Sequence, residues 1–445
     1  MHRAGEKDIV ITNGIVVTQD DSGTIVENGS VCVSGDRISY VGNAGGIDLH
    51  GGCRLVDAAG GIIMPGLINT HTHAAMTCFR GLADDMELMD WLNKYILPAE
   101  AGLDYETVYT AAKLACAEMM LSGTTCFSDM YLFEDAVAEA AHAAGMRAVV
   151  GEVLYDFDSP NYGSIDKGFE YTRRLIEKWR EDPLVTIAVE PHSPYLCAPD
   201  LLERAGAMAE KYDIPLIIHL AETREERATL LDRYGKSSVA HLADIGVLSP
   251  RVLACHCVDV DETDIGILSS CGAKVSHNPE SNMKLASGIA PVPAMMEAGI
   301  CVGLGTDGPA SNNNLDMFME MDTAAKIHKA TLLDPTVMNA RSVLAMATRN
   351  AARALGLENI TGSLEIGKKA DIIVVDTNKP HMTPMYDVVS HLVYSASGSD
   401  VATVLINGRL VVENGTLLAF DVYETMAAMR RASDRIRRIH NWRLN

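Results

Sequence analysis

The sequence predicts an α/β protein: a (β/α)8 barrel with a small β-sandwich domain built from both chain ends. Three observations lead there. Strand texture marks both ends of the chain, and the middle alternates apolar strands with helices rich in Ala, Glu and Met. Four apolar runs of that middle close on metal-ligand-type side chains.

Residues 8–42 alternate in strand fashion, DIVITNGIVVTQD then SVCVSGDRISYVG, with NG, SG and GD turn signals. The texture returns in KKADIIVVD at 368–376 and VATVLINGRLVVENG at 401–415. Residues 1–66 and 362–420 are therefore expected to be two pieces of one β-domain, with Pro65-Gly66 and Thr361-Gly362-Ser363 marking its boundaries. Between them, 67–361 is expected to be the barrel. Its strands are read at 147–153, 185–190, 215–219, 252–256, 273–276 and 300–306. Its helices are read at 107–122, 134–144, 168–181, 199–212, 223–233, 315–330 and 339–355. The tail 421–445 carries a helical pattern with basic residues, MRRASDRIRRIH, and reads as a packing or surface helix rather than an interaction helix.

A chain of 445 residues with 48% hydrophobic content has material for a large core and is too long for one ordinary domain other than a barrel. No run approaches the ~18–20 apolar residues of a membrane helix. MHRAGEKDIVITNG lacks an apolar h-region, so a soluble cytoplasmic protein is expected. A formal charge of −22 repels phosphate backbones and argues against nucleic acid as a partner. The ten cysteines form no CxxC pair and read as reduced core residues. Cys255 and Cys257 alternate with His256 and would face away from it in a strand.

The four runs are IIMPGLINT before His71, IPLII before His219, RVLAC before His256 and GICVGLGT before Asp307. In a barrel, chemistry gathers at the C-terminal ends of the strands. His71 and His73 are two residues apart, so on a strand both imidazoles reach one ion. With His219 and Asp307 they complete a His, His, His, Asp set that leaves a position for water, whose pKa can fall to about 7 on such a cation. Glu222, three residues after His219, is a candidate general base, although the following TREER also suits a helix first turn. His256 reads as a fourth nitrogen ligand or as an electrophile beside the site. The strand before His192, VTIAVEPHSPY, contains no Lys to bridge two metals, which favours one metal. Together these parts read as metal-assisted hydrolysis.

His71-Thr72-His73, His219-Leu220-Ala221-Glu222, His256 and Leu304-Gly305-Thr306-Asp307 resemble the amidohydrolase superfamily, and the split β-domain fits it. Pro98-Ala99-Glu100, Pro191-His192-Ser193-Pro194-Tyr195, Ser276-His277-Asn278-Pro279, Ser281-Asn282-Met283-Lys284-Leu285 and Gly305-Thr306-Asp307-Gly308 resemble its methylthioadenosine/S-adenosylhomocysteine deaminase group. So does Ser311-Asn312-Asn313.

The resemblance implies zinc-dependent deamination of a 6-aminopurine nucleoside: methylthioadenosine, 5′-deoxyadenosine, adenosine or S-adenosylhomocysteine. It implies one zinc per chain (or iron) on His71, His73, His219 and Asp307. Glu222 would shuttle the proton, and His256 and Asp307 would orient and deprotonate the water. Glu100 would accept from the ribose hydroxyls, His192 would contact the nucleoside, and Trp91 would line the pocket. A homo-oligomer acting on a small molecule is expected. The runners-up are a triazine chlorohydrolase, a guanine-type deaminase and a non-catalytic scaffold. One departure stands in RAVVGEVLYD, where Glu152 occupies a position that carries Arg in many relatives. A Glu there would repel the carboxylate of S-adenosylhomocysteine, unless another Arg such as Arg147 or Arg174 serves it.

Overall fold

The computed structural model describes residues 2–4, 8–49, 52–86 and 88–439. The last residues of the expected tail helix, 440–445, lie outside them, as do 1 and 5–7 of the N-terminal stretch. The helix itself, Val422–Ile439, lies along the helix Tyr105–Leu121, and Arg435 donates to Thr107 Oγ1 at 2.9 Å.

Both chain ends enter one sheet. Ile62–Pro65 pairs in parallel with Ile9–Val17 on one side. On the other it pairs antiparallel with Ile372–Val375, which leads on to Val401–Ile406 and Arg409–Glu413. The nine strands of this sheet wrap a core of their own, in which Ile11, Val16, Val31, Ile38 and Ile63 from the first piece meet Leu364, Ile372, Val374 and Leu405 from the second. Neither piece buries that apolar surface alone, which is why the two ends must meet.

Gly66 turns the chain out of this sheet, and the strand Leu67–Thr72 opens the barrel. It pairs in parallel with Thr124–Tyr131, which pairs with Arg147–Leu154, which pairs with Val185–Ile187 and Glu190–Pro191. A second parallel set runs Leu216–Leu220, Val252–His256, Lys274–His277 and Val302–Leu304. Two seams close the ring. Ile217 N donates to Val189 O at 3.0 Å, and Asp307 N donates to His71 O at 2.9 Å. The first three barrel strands are buried along their whole length, as expected when helices cover the outside and side chains fill the inside.

The strand Thr124–Tyr131 is absent from the sequence expectation. Its residues TTCFSDMY interrupt any apolar run, yet all are buried. The helix expected at 339–355 is two helices, Ala340–Met346 and Arg349–Ala354. The break has a cause: the carbonyl of Ala347 accepts from Ile68 N at 2.9 Å, so a helical oxygen is spent on the first barrel strand. Glu262–Cys271 is a helix that the sequence reading also lacked, although Asp261 and Asp264 form a capping box at its start.

Arg147 begins its strand at the end of the barrel remote from the histidines. Its guanidinium donates to both carboxylate oxygens of Asp371, at 2.7 and 3.1 Å, and to Pro183 O at 3.0 Å. This buried bidentate pair fastens the barrel floor to the C-terminal strands, so Arg147 is not a substrate ligand. Arg174 lies over the ring of Tyr171. Among the described residues no helix is long and apolar enough to cross a membrane.

Candidate active site and metal centre

The strand ends bring His71, His73, His219, His256 and Asp307 together, all buried except the partly exposed His73. His71 stands at the centre, with the rings of His73 and His219 4.9 Å from its own and that of His256 at 5.5 Å. His73 Nε2 lies 3.2 Å from Asp307 Oδ1, and His71 Nε2 lies 3.6 Å from the same oxygen. Ligands at 2.0–2.1 Å in a tetrahedron stand about 3.4 Å apart, so these separations fit one cation.

Each ring is oriented from behind. His73 Nδ1 meets the carbonyl of Met130, and His219 Nδ1 lies 2.9 Å from the carbonyl of His192. A carbonyl only accepts, so both Nδ1 atoms carry the proton and both Nε2 atoms present a lone pair. Asp307 Oδ1 accepts from Gly308 N at 2.7 Å, and its Oδ2 accepts from Ser281 Oγ at 2.6 Å. His71 is different: it is fully buried and neither ring nitrogen has a hydrogen-bond partner among the described residues. A buried polar atom left this way points to a missing partner, and a cation supplies one. Two overlapping groups have the spacing to hold a metal: His71, His73 and His219, and His71, His256 and Asp307.

The glycines of LGTDG are spatial requirements. A Cβ on Gly305 would stand 2.8 Å from His71 N, and one on Gly308 would stand 2.8 Å from Met76 Sδ and 3.1 Å from the His73 ring. Only hydrogen fits beside the carboxylate.

Electrostatics match the ligand reading. Burial and the neighbouring imidazoles keep His71 and His219 well below the usual histidine range, so both are neutral donors. Burial also disfavours a charged His73, but the hydrogen bond and charge of Asp307 win and raise it to about 9. Burial disfavours the Asp307 carboxylate, yet its contact with His73 holds it well below the ordinary range.

A cavity of about 270 Å³ opens onto these groups. Glu222 lines it together with His192 and Glu100, and burial pushes the Glu222 carboxyl up from its ordinary value. Burial likewise raises Glu100 to about 7, and its Oε1 accepts from Tyr131 OH at 2.8 Å. His192 is pushed down to about 3 by burial and is neutral. Trp91 lines the wall with Leu92, Leu132, Tyr155, Phe157 and Leu196. Tyr155 and Phe157 are stacked at 3.9 Å between ring centroids. Tyr131, Tyr155, Phe157 and Ser281 join the site only through folding, with no local signal in the sequence that marks them.

Glu152 does not face the cavity. It is fully buried, its Oε2 accepts from Glu134 N at 2.9 Å, and its Oε1 accepts from Asn161 Nδ2 at 2.8 Å. Repulsion of a substrate carboxylate by Glu152 at the cavity wall is thereby corrected. Beside it, Gly151 has no room for a side chain, because a Cβ would stand 2.5 Å from Glu190 Cγ. His256 Nδ1 lies 2.9 Å from Asn282 Oδ1, which leaves its Nε2 for the site.

A barrel carrying histidines and an aspartate at its strand ends, with a sheet made from both chain ends, defines a class of hydrolase. The amidohydrolase family matches residues 62–411, and the chain belongs to that family. Within it, the chain is 56% identical over 425 residues to the 5-methylthioadenosine/S-adenosylhomocysteine deaminase of Syntrophobacter fumaroxidans, covering 95% of this chain and 97% of that one. It is 46% identical over 431 residues to the 5′-deoxyadenosine deaminase of Methanosarcina acetivorans, covering 96% and 98%. Among solved structures, an adenosine deaminase from Xanthomonas campestris with bound zinc superposes with a TM-score of 0.95 at 37% identity, over 98% of this chain and 99% of that one.

Proposed function

We propose that this protein hydrolytically deaminates 6-aminopurine nucleosides with a neutral 5′ group, such as methylthioadenosine, 5′-deoxyadenosine or adenosine. It does so with one zinc held by His71, His73, His219 and Asp307. The observation that carries the reading is the convergence of Glu222 and the His/Asp cluster on one cavity whose far walls are apolar and aromatic. The deaminase relatives support it.

A bound divalent cation supplies Lewis-acid charge that brings the pKa of water to about 7. The side chains do the rest. Glu222 takes a proton from the attacking water and passes it to the purine ring nitrogen as oxygen adds at C6. Asp307 takes the second proton from the added hydroxyl and gives it to the amino group, the C6–N bond breaks, ammonia leaves, and water and nucleoside give the 6-oxo product. Asp307 and His256 hold the water in line. Glu100 accepts from the ribose hydroxyls, neutral His192 contacts the nucleoside, and Trp91 packs against it.

The preference for neutral 5′ groups now rests on the wall, not on Glu152. Among the described lining residues there is no Lys or Arg, and the carboxyl groups present are Glu100, Glu222 and Asp307. A substrate carboxylate entering there would be desolvated without a partner. The proposal includes domain limits at 66/67, 361/362 and 420/421, a cytoplasmic location and a homo-oligomer, the last checked by light scattering.

The test is ammonia release, with the adenine-to-hypoxanthine absorbance change, across adenosine, methylthioadenosine, 5′-deoxyadenosine and S-adenosylhomocysteine, for native protein and Glu222→Gln. We expect kcat/KM to favour the neutral substrates, and kcat to fall ~10²–10⁴-fold in the variant with zinc retained. Turnover restricted to triazines or guanine, or near-normal turnover of zinc-replete Glu222→Gln, would overturn the reading.

A further inference from the structure

We propose that Glu226 is the positioning residue for Glu222: its carboxylate clamps the two backbone amides that turn Glu222 into the cavity. This rests on the reading of Glu222 as the proton shuttle.

The strand Leu216–Leu220 ends at Ala221, which has φ +52°. A residue with a Cβ resists that left-handed conformation, so something must hold it there. The carbonyls are held from one side: Cys257 N donates to Leu220 O at 3.0 Å, and Asp259 N donates to Ala221 O at 2.8 Å. Glu226 holds the amides from the other. Its Oε1 accepts from Ala221 N at 2.8 Å, and its Oε2 accepts from Glu222 N at 3.1 Å.

Ordinary helix capping does not account for this. Glu226 is the third residue of the helix Arg224–Tyr234, and Thr223 caps that helix by accepting from Glu226 N at 3.2 Å. In a capping box the third-residue carboxylate returns to the amide of the cap residue itself. Here it bypasses Thr223 and reaches the two residues before it. Glu226 is also only 4% exposed, and the cation beside it in sequence, Arg227, is engaged by Asp264 and Asp261. The carboxylate is thus buried with two backbone amides and the Ser238 hydroxyl beside it, at the turn that aims the proton shuttle. A small displacement of a reacting group costs rate steeply, which is what such a clamp prevents.

The experiment uses the zinc-loaded full chain as native protein, Glu226→Gln, Glu222→Gln and the double variant. The isosteric amide keeps one acceptor and turns an NH2 toward the second backbone N–H. Backbone hydrogen exchange at Ala221 and Glu222 should accelerate in Glu226→Gln. With methylthioadenosine, kcat should fall roughly 10–100-fold, within the span that a positioned proton-transfer group supplies, while KM stays within about threefold. Metal content should be unchanged. In the Glu222→Gln background the Glu226 substitution should remove nothing further. Unchanged exchange and kcat would overturn the proposal, and so would an undiminished loss in the Glu222→Gln background. If Glu222→Gln alone turns over normally, the shuttle reading fails, and the exchange result still decides the clamp. Should Glu226→Gln not fold, Thr223→Val loosens the same turn from its other side. Faster exchange with a kcat loss that vanishes in the Glu222→Gln background supports the clamp, and native behaviour overturns it.

Discussion

The ring of His219 is held by His192 through the backbone: His219 Nδ1 donates to the His192 carbonyl at 2.9 Å, while the His192 imidazole faces the cavity. One residue thereby orients a candidate metal ligand with its main chain and lines the cavity with its side chain.

The two roles separate by mutation. His192→Ala removes the imidazole and keeps the carbonyl, so the protein should retain its metal equivalent while kcat/KM falls about tenfold, on the order of one lost hydrogen bond to substrate. Elemental analysis beside steady-state kinetics checks this. Metal loss in His192→Ala would mean that the side chain, too, supports the centre.

Removal of the metal should destabilise the fold as well as stop turnover. His71 is buried with both ring nitrogens unpartnered, so chelation leaves an unsatisfied polar group that costs roughly 1–3 kcal/mol. We expect one equivalent of divalent metal in active protein. A chelated sample should show a lowered thermal midpoint that recovers on adding zinc. Two equivalents in fully active protein would contradict the single-metal assignment.

Glu100→Ala should raise KM for ribonucleosides more than for 2′-deoxy analogues, because a partly buried carboxylate facing hydroxyls makes bonds worth roughly 1.5–3 kcal/mol. Tyr131→Phe should give a smaller shift in the same direction, since Tyr131 OH donates to Glu100 at 2.8 Å. Equal losses for both sugars would make Glu100 structural.

A pH dependence of stability follows from Glu152. Burial raises its carboxyl from 4.5 to about 7. A folded state that binds the proton more tightly than the unfolded chain is favoured below pH 4.5, and the advantage disappears as pH rises through about 7. The change amounts to roughly 3 kcal/mol at most. Asp129, raised by burial to about 6, and the buried Glu134 and Glu190 slope the same way. Glu152→Gln removes one contribution, so its thermal midpoint relative to native protein should be higher at pH 8 than at pH 5. Parallel midpoints at the two pH values would show that Glu152 does not titrate in this range.

The clustering of His71, His73, His219 and Asp307 was legible because period 2 on a strand and the apolar runs that end there are local signals. Both pieces of the end sheet were legible for the same reason. The strand Thr124–Tyr131 was not, because TTCFSDMY carries no apolar run, and the group that holds Asp129, Ala74 N just past the end of the neighbouring strand, is distant in sequence. The orientation of Glu152 was hidden too. Alternation assigns a side chain to one face or the other, but the donors that captured it, Glu134 N and Asn161, lie on elements joined only by folding.

The pairing of Ile62–Pro65 with Ile372–Val375 has a consequence for synthesis. About 300 residues separate the two strands, and ribosomes add roughly 5–20 residues per second. The N-terminal strands therefore emerge with one edge bare and wait some tens of seconds for their neighbour. During that interval the nascent chain offers a templating edge to other copies of itself. Slower translation should therefore lengthen the exposure of that edge.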